Sequence, residues 1–240
     1  MTAGRKSIYT LNEHYFDIID SEDKAYFLGL LYADGYNNTK RHQVFIGLIE
    51  SDKKILEIFC KFLKTNKPLR IIKCKNKQTL NRLCIENTYL SKYLESIGLI
   101  HNKSFDLLFP KWLKLSLYSH FIRGYFDGDG CITFGSSIRK NKDGTQRVKN
   151  NGIPYKKHFC GTISIASSNE FCDTLKFYIE NNFSIHCGIN RKNKVSVLVI
   201  RGNKQIFKIM NWLYTGSTIY LERKYNKYLE YIKTWENSKL

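Results

Sequence analysis

One pattern occurs twice and constrains everything else the chain can do. The first copy is Phe27-Leu28-Gly29-Leu30-Leu31-Tyr32-Ala33-Asp34-Gly35, and the second is Ile122-Arg123-Gly124-Tyr125-Phe126-Asp127-Gly128-Asp129-Gly130. Each reads as an apolar helical run that ends in an acid and then a glycine. Gly29 and Ala33 share one helix face, and Gly124 and Gly128 share one face of the other. Small residues at that spacing let two helix backbones approach closely. The closing Gly35 and Gly130 read as helix stops that use positive φ.

The acids stand where the helix macrodipole favours cations, at the C-termini. If the two small faces pack in register, Asp34 and Asp129 arrive together and repel. A divalent cation relieves this, and all-oxygen ligation favours Mg²⁺ over zinc. A single copy would also read as a buried helix with a glycine stop. Two copies with the acid in the same place favour the functional reading.

Charge says what the partner is. Across 240 residues, 39 Lys and Arg against 21 Asp and Glu give a formal net charge of +18, which favours a polyanion. The basic residues run along the whole chain, so the binding surface is expected to be long. A hydrophobic fraction of 42% with 14% aromatics suffices for a core. The 7 cysteines (Cys60, Cys74, Cys84, Cys131, Cys160, Cys172 and Cys187) form no CxxC pair. They read as small buried hydrophobes in a reducing, intracellular compartment: a bacterial or phage-infected cytoplasm, or an organelle matrix. None of the 6 histidines has a partner at ligand spacing, which speaks against zinc. No run is long enough to span a membrane and none reads as a signal peptide.

Residues 1–20 read as a leader, with Tyr15 and Phe16 in a strap, followed by a first half (21–116) and a second (117–240). Ser21 is the expected N-cap of the first motif helix. Val44, Ile46 and Leu48 alternate as in a strand, Ser51–Thr65 carries a helical stripe, and two strands follow near Leu69–Lys75 and Thr79–Glu86. Asn87–Ile97 is a second amphipathic helix. The second half repeats the order over Ser167–Asn182, Ile185–Arg191, Lys194–Arg201 and Gly202–Tyr214. The offset is 95 between the acids (34 to 129) but 116 between the long-helix starts (51 to 167). The surplus falls in the basic stretch Ser136–Lys157, read as an inserted loop or extended hairpin. This is a tandem pseudo-repeat, the single-chain equivalent of a two-fold dimer.

These residues resemble the LAGLIDADG homing endonucleases, in the form with both motifs on one chain. The resemblance covers roughly residues 9–235. It implies an α+β fold of tandem pseudo-symmetric αββαββα repeats. The motif helices would pack at the pseudo-two-fold, and curved antiparallel sheets would form a DNA-binding saddle. Tyr32 departs from the family pattern, standing where an acid is common. The family's metal-binding acid, the last before the final glycine, maps onto Asp34 and Asp129, with the Ala33 and Gly128 carbonyls beside them. Two or three divalent cations, Mg²⁺ in kind, are implied. The activity implied is hydrolysis of one phosphodiester per strand of double-stranded DNA at a long site, leaving 3′ overhangs. Lys103 and Lys224 resemble the family's basic residue for each site, with Arg223 a rival for Lys224. Arg123 reads instead as part of a structural ion pair.

The sheet faces would meet DNA, most side chains holding phosphate and some reading bases. Candidates in the first half are Asn37, Lys40, Arg41, Gln43, Lys73, Lys75, Lys77 and Arg82. In the second they are Arg139, Lys140, Lys142, Arg147, Lys156, Lys157, Arg191, Lys192 and Lys194. The expected protein is a monomer, free-standing or intron-encoded. Two other functions on the same fold stay open at this point: an intron maturase that binds RNA, and a DNA-binding regulator that does not cut.

Overall fold

The computed structural model describes residues 8–73, 79–100 and 105–239. The first half runs α1 (Glu22–Asp34), β1 (Gly35–Asn38), β2 (Gln43–Ile49), α2 (Lys53–Phe62), β3 (Arg70–Lys73), β4 (Thr79–Glu86) and α3 (Thr88–Ser96). The second runs α4 (Tyr118–Asp129), β5 (Gly130–Ser137), β6 (His158–Ser168), α5 (Asn169–Phe183), β7 (Cys187–Lys192), β8 (Val195–Arg201) and α6 (Asn203–Tyr214). Each half is thus αββαββα in order. A further helix, α7 (Glu222–Asn237), follows the second αββαββα unit within the second half, outside the elements expected from periodicity.

Both sheets are four-stranded, antiparallel and open. Their orders are β1-β2-β4-β3 and β5-β6-β8-β7, the same topology twice. Alternation sets their faces. Val44, Ile46 and Leu48 of β2 pair with Ile85, Leu83 and Asn81 of β4 on the helix side, and all six are buried. Ile163 and Ile165 pair with Ile200 and Leu198 in the same way. The opposite faces carry no helix.

The motif helices form the joint. Gly29 sits so close to α4 that a Cβ there would lie 2.9 Å from both Phe121 C and Tyr125 N. Gly124 mirrors it, at 2.9 Å from Tyr26 C and 3.0 Å from Leu30 N. Residues 26 and 30 stand to 121 and 125 at the same offset of 95 as the acids, so the pseudo-two-fold passes between these helices. Apolar burial runs nearly all round α1, from Ala25 to Tyr32.

The glycine stops work differently from expectation. Gly35 and Gly130 have φ of −78° and −83°, in extended backbone. Each helix passes directly into a strand, with no left-handed turn. Glycine is needed for room: a Cβ on Gly35 would lie 2.6 Å from Leu31 O, and one on Gly130 would strike Phe126. Ser21 occupies the N-cap position but makes no capping bond, and its buried Oγ has no hydrogen-bond partner. Asn87 does cap α3, accepting from Leu90 N at 2.8 Å.

Residues 8–20 strap the first half. Tyr15 and Phe16 are buried, Asn12 N donates to Leu63 O at 2.8 Å, and the Tyr15 hydroxyl donates to Asp23 at 2.6 Å. The surplus stretch of the second half is a meandering ribbon between β5 and β6. It makes two successive tight turns, closed by bonds from Asn141 N to Thr145 O and from Lys149 N to Ile153 O, both 2.8 Å. Almost all of it is exposed. No helix among the described residues is long and apolar enough to cross a membrane.

Candidate metal and nucleic-acid site

The packing of α1 on α4 delivers both acids to one end of the joint. Asp34 and Asp129 are exposed, whereas the residues behind them are buried. The two ends interlock: the Cβ position of Gly128 lies 3.0 Å from Asp34 Oδ2 and meets the Ala33 methyl. The carboxylate of one motif therefore lies against the terminal turn of the other. Tyr125, inside α4, feels both charges. Burial chiefly, then Asp129 and more weakly Asp34, push its hydroxyl well above the usual tyrosine range.

Lys224 joins them from the first turn of α7. Its ammonium donates to the Gly130 carbonyl, just beyond Asp129. Burial and then Arg223 lower its pKa from the usual lysine value, opposed by the Asp127 and Asp34 carboxylates. Arg223 turns the other way. Its Nε donates to the buried carboxylate of Asp52 at 2.6 Å, which ties α7 to the first half. Of the two rivals, only Lys224 therefore lies at the joined helix ends.

Two buried polar clusters brace this end. Asp127 is fully buried and accepts from Tyr26 Oη at 2.8 Å, Tyr214 Oη at 2.6 Å and Leu221 N at 2.7 Å. Burial pushes its carboxyl up to about 6, against the pull of those three donors and of Arg123. Arg123 makes its ion pair, with Glu22 at 2.7 Å, and also donates to Leu213 O and Ile219 O. In the first half Tyr32 takes the place of Asp127, and its hydroxyl donates to Ile97 O.

Oxygen donors at two negative helix ends suit a hard cation. Among the described residues no group of three or more His, Cys, Asp or Glu side chains could hold a metal. A cation here would rest on the two carboxylates, backbone carbonyls, water and substrate phosphate, a donor set typical of Mg²⁺.

Strand register turns three of the sequence-predicted contact residues to the helix side of their sheets. Asn37 is buried on the helix side, where it bonds Ser91 O at 2.9 Å and Leu99 O at 3.0 Å and accepts from Ser91 Oγ. Arg191 alternates onto the helix side and pairs with Asp173 at 2.6 Å. Lys73 is opposite Thr79, in phase with buried Asn81 and out of phase with Arg82. Gln43, Arg82 and Lys192 lie on the open faces, and Lys40, Arg41 and Lys194 in exposed turns. Arg139, Lys140, Lys142, Arg147, Lys156 and Lys157 all lie on the exposed ribbon. Lys75, Lys77 and Lys103 fall outside the described residues. Arg70 and Arg201, also on the open faces, had been missed. Their signal was alternation counted from buried neighbours such as Ile200.

Neither a scan against protein-family models nor a search of curated proteins matches the sequence. Solved structures do match. The LAGLIDADG meganuclease I-AabMI bound to uncleaved DNA superposes with a TM-score of 0.56 at 16% identity, over 89% of this chain and 90% of that one. The fold is the LAGLIDADG fold. The I-LtrWI LAGLIDADG homing endonuclease bound to target DNA gives a TM-score of 0.58 at 14% identity, over 95% and 92%. Full-length DUF199/WhiA from Thermatoga maritima gives 0.52 at 19% identity, over 92% of this chain and 64% of that one. The LAGLIDADG fold is therefore common ground between proteins described as nucleases and one that is not, and at these identities the likeness carries no chemistry.

Proposed function

We propose that the chain is a monomeric, metal-dependent endonuclease of the homing type that cuts both strands of a long double-stranded DNA site. The observation that carries this reading is the pair of exposed acids, one from each motif, seated against one another at the joined helix ends. A regulator that only bound DNA would have no use for two carboxylates facing a phosphate backbone, since they would weaken binding. Their retention in both copies favours cutting over the non-cutting reading.

Asp34 and Asp129 would hold Mg²⁺, with the Ala33 and Gly128 carbonyls close by. The bound metal would supply the charge that activates water and stabilises the leaving 3′ oxygen. The chain's own part is positional. The rigid joint fixes the acids relative to each other so that each can serve one strand, and the resemblance to the LAGLIDADG homing endonucleases implies staggered cuts that leave 3′ overhangs. Lys224 would balance phosphate charge or orient the attacking water at one site, and Lys103 is proposed for the other. The open sheet faces and the basic ribbon would hold the duplex on both sides.

Cleavage of the uninterrupted locus beside the gene tests this, first with Mg²⁺ and then with Ca²⁺. The expected result is one double-strand cut with Mg²⁺ and binding without cutting in Ca²⁺. Asp34→Asn and Asp129→Asn should each keep binding and leave a nicking or inactive enzyme. Tight DNA binding with no cut in any divalent metal would remove the nuclease reading, and binding of intron RNA alone would replace it with the maturase reading.

A further inference from the structure

The two open sheet faces, related by the pseudo-two-fold, differ in chemistry. On the first face Arg70 and Arg82 are direct cross-strand partners of β3 and β4, so two guanidinium groups stand side by side. The Arg82 guanidinium is held 5.1 Å from the Phe45 ring, which in turn packs 4.8 Å from Tyr36. Two long donors therefore stand together in the middle of this face, flanked on one side by the apolar row Ile49, Leu80 and Ile72. On the second face the strands present mostly short side chains, Thr133, Thr162, Ser164, Ala166 and Val197, none of them buried, with exposed Asn190 beside Val197. Its described Lys and Arg side chains, Lys192 and Arg201, stand at opposite ends of the β7–β8 ribbon.

Base edges in the major groove distinguish these two surfaces. Guanine offers paired acceptors that suit a bidentate guanidinium, whereas thymine offers a methyl group that suits Ala, Thr and other small apolar contacts. Short side chains cannot reach the guanine acceptors with a charged donor, yet they leave room for a thymine methyl. We infer that the recognition site is compositionally lopsided: the half-site under the first sheet is read through guanines by Arg70 and Arg82. The half-site under the second sheet is read through a run of thymine methyl groups. This inference rests on the proposed binding of double-stranded DNA, with the sheet faces in the major groove.

The test is selection of duplexes from a randomised library by the full chain in Ca²⁺, where binding proceeds without cutting. The selected sites should carry guanines at fixed positions in one half and a thymine run in the other. Arg82→Ala should weaken binding to the selected site about tenfold or more and relax base choice in the guanine half only. Replacing thymine by deoxyuridine in the other half, which leaves the protein untouched and removes only methyl groups, should weaken binding about threefold per methyl. Selected sites of like composition in both halves would overturn the inference while leaving DNA binding intact. So would an Arg82→Ala variant that weakens all duplexes equally, or deoxyuridine with no effect. Failure to retain any duplex would overturn the proposed function itself.

Discussion

Asp127 and Tyr32 occupy the same place in the two motif copies and solve one problem with opposite chemistry. Each ties the end of its helix to the segment beyond the last helix of its own αββαββα unit, Asp127 by accepting from Leu221 N and Tyr32 by donating to Ile97 O. The acid carries an electrostatic penalty that the phenol avoids. Its carboxyl is raised from 3.8 to about 6 by burial, so the folded chain keeps a proton that the unfolded chain has released. Stability should therefore fall as pH rises through that window, by about 3 kcal/mol in all, and then level off. Urea unfolding between pH 4 and 7 measures this slope, and Asp127→Asn should flatten it. An unchanged slope in the variant would move the titration to another group. Lys224 makes a second prediction at this scale. Lys224→Met keeps the buried stem and loses the ammonium, so cleavage of one strand should slow about a hundredfold with binding kept. Equal slowing of both strands would assign Lys224 to the fold. Sequence gave grounds for weighing Lys224 against Arg223, but not for choosing: the choice depends on Asp52, which is 171 residues away from Arg223 in the chain.

At the level of elements, the α1–α4 contact is the least tolerant place in the molecule. A methyl on Gly124 would meet the backbone of α1, which cannot swing aside as a side chain could. Gly124→Ala should cost about 3 kcal/mol or more, at the upper end for overpacking. Gly135→Ala, with nothing within 4 Å of the added Cβ, should be nearly neutral in the same denaturation assay. The strands and helices themselves were legible because their apolar periods are clean, as in Val44-Phe45-Ile46-Gly47-Leu48. Face assignment failed where a polar residue had to be placed by register. Asn37 pairs with Val44 and so faces the helices, a fact that needs the β1–β2 pairing and cannot be had from Gly35-Tyr36-Asn37-Asn38 alone. Arg191 was within reach, since Cys187 and Ile189 already mark its side of β7 as the inner one. The N-terminus of α7, which braces the joint, left no mark in the apolar pattern. Its anchors are the polar pairs Asp52–Arg223 and Lys54–Glu222, both 2.6 Å.

Over the whole molecule the governing quantity is charge. With a formal net charge of +18, binding to DNA should weaken linearly in log–log form as salt rises, with a slope near −0.9 for each phosphate contact. The ribbon between β5 and β6 concentrates this effect, carrying Arg139, Lys140, Lys142, Arg147, Lys149, Lys156 and Lys157 against Asp143 alone. Replacing residues 139–156 by a short turn should flatten the salt slope by several units. Stability should change by no more than about 1 kcal/mol, because exposed residues contribute little to it. A salt slope unchanged by the deletion would show that the ribbon does not touch the duplex. The repeat and the charge balance made this organisation readable early; the path of the ribbon, two turns in place of one loop or hairpin, was not encoded in any periodicity.

The bonds that close the joint also have a consequence in time. Glu22, at the start of α1, accepts from the backbone N–H and hydroxyl of Thr218, and Asp52 waits for Arg223. Tyr26 and Gly29 wait for α4. During synthesis the end of α1 is made 95 residues before the end of α4 (34 to 129) and 184 before Thr218 (34 to 218). The leading helix must therefore wait with its tightest surface uncovered until the second motif emerges, and Thr218 and Arg223 come later still, a situation that favours chaperone capture and slow completion. A premature stop anywhere before residue 218 should therefore yield an insoluble fragment, not a half-enzyme that nicks.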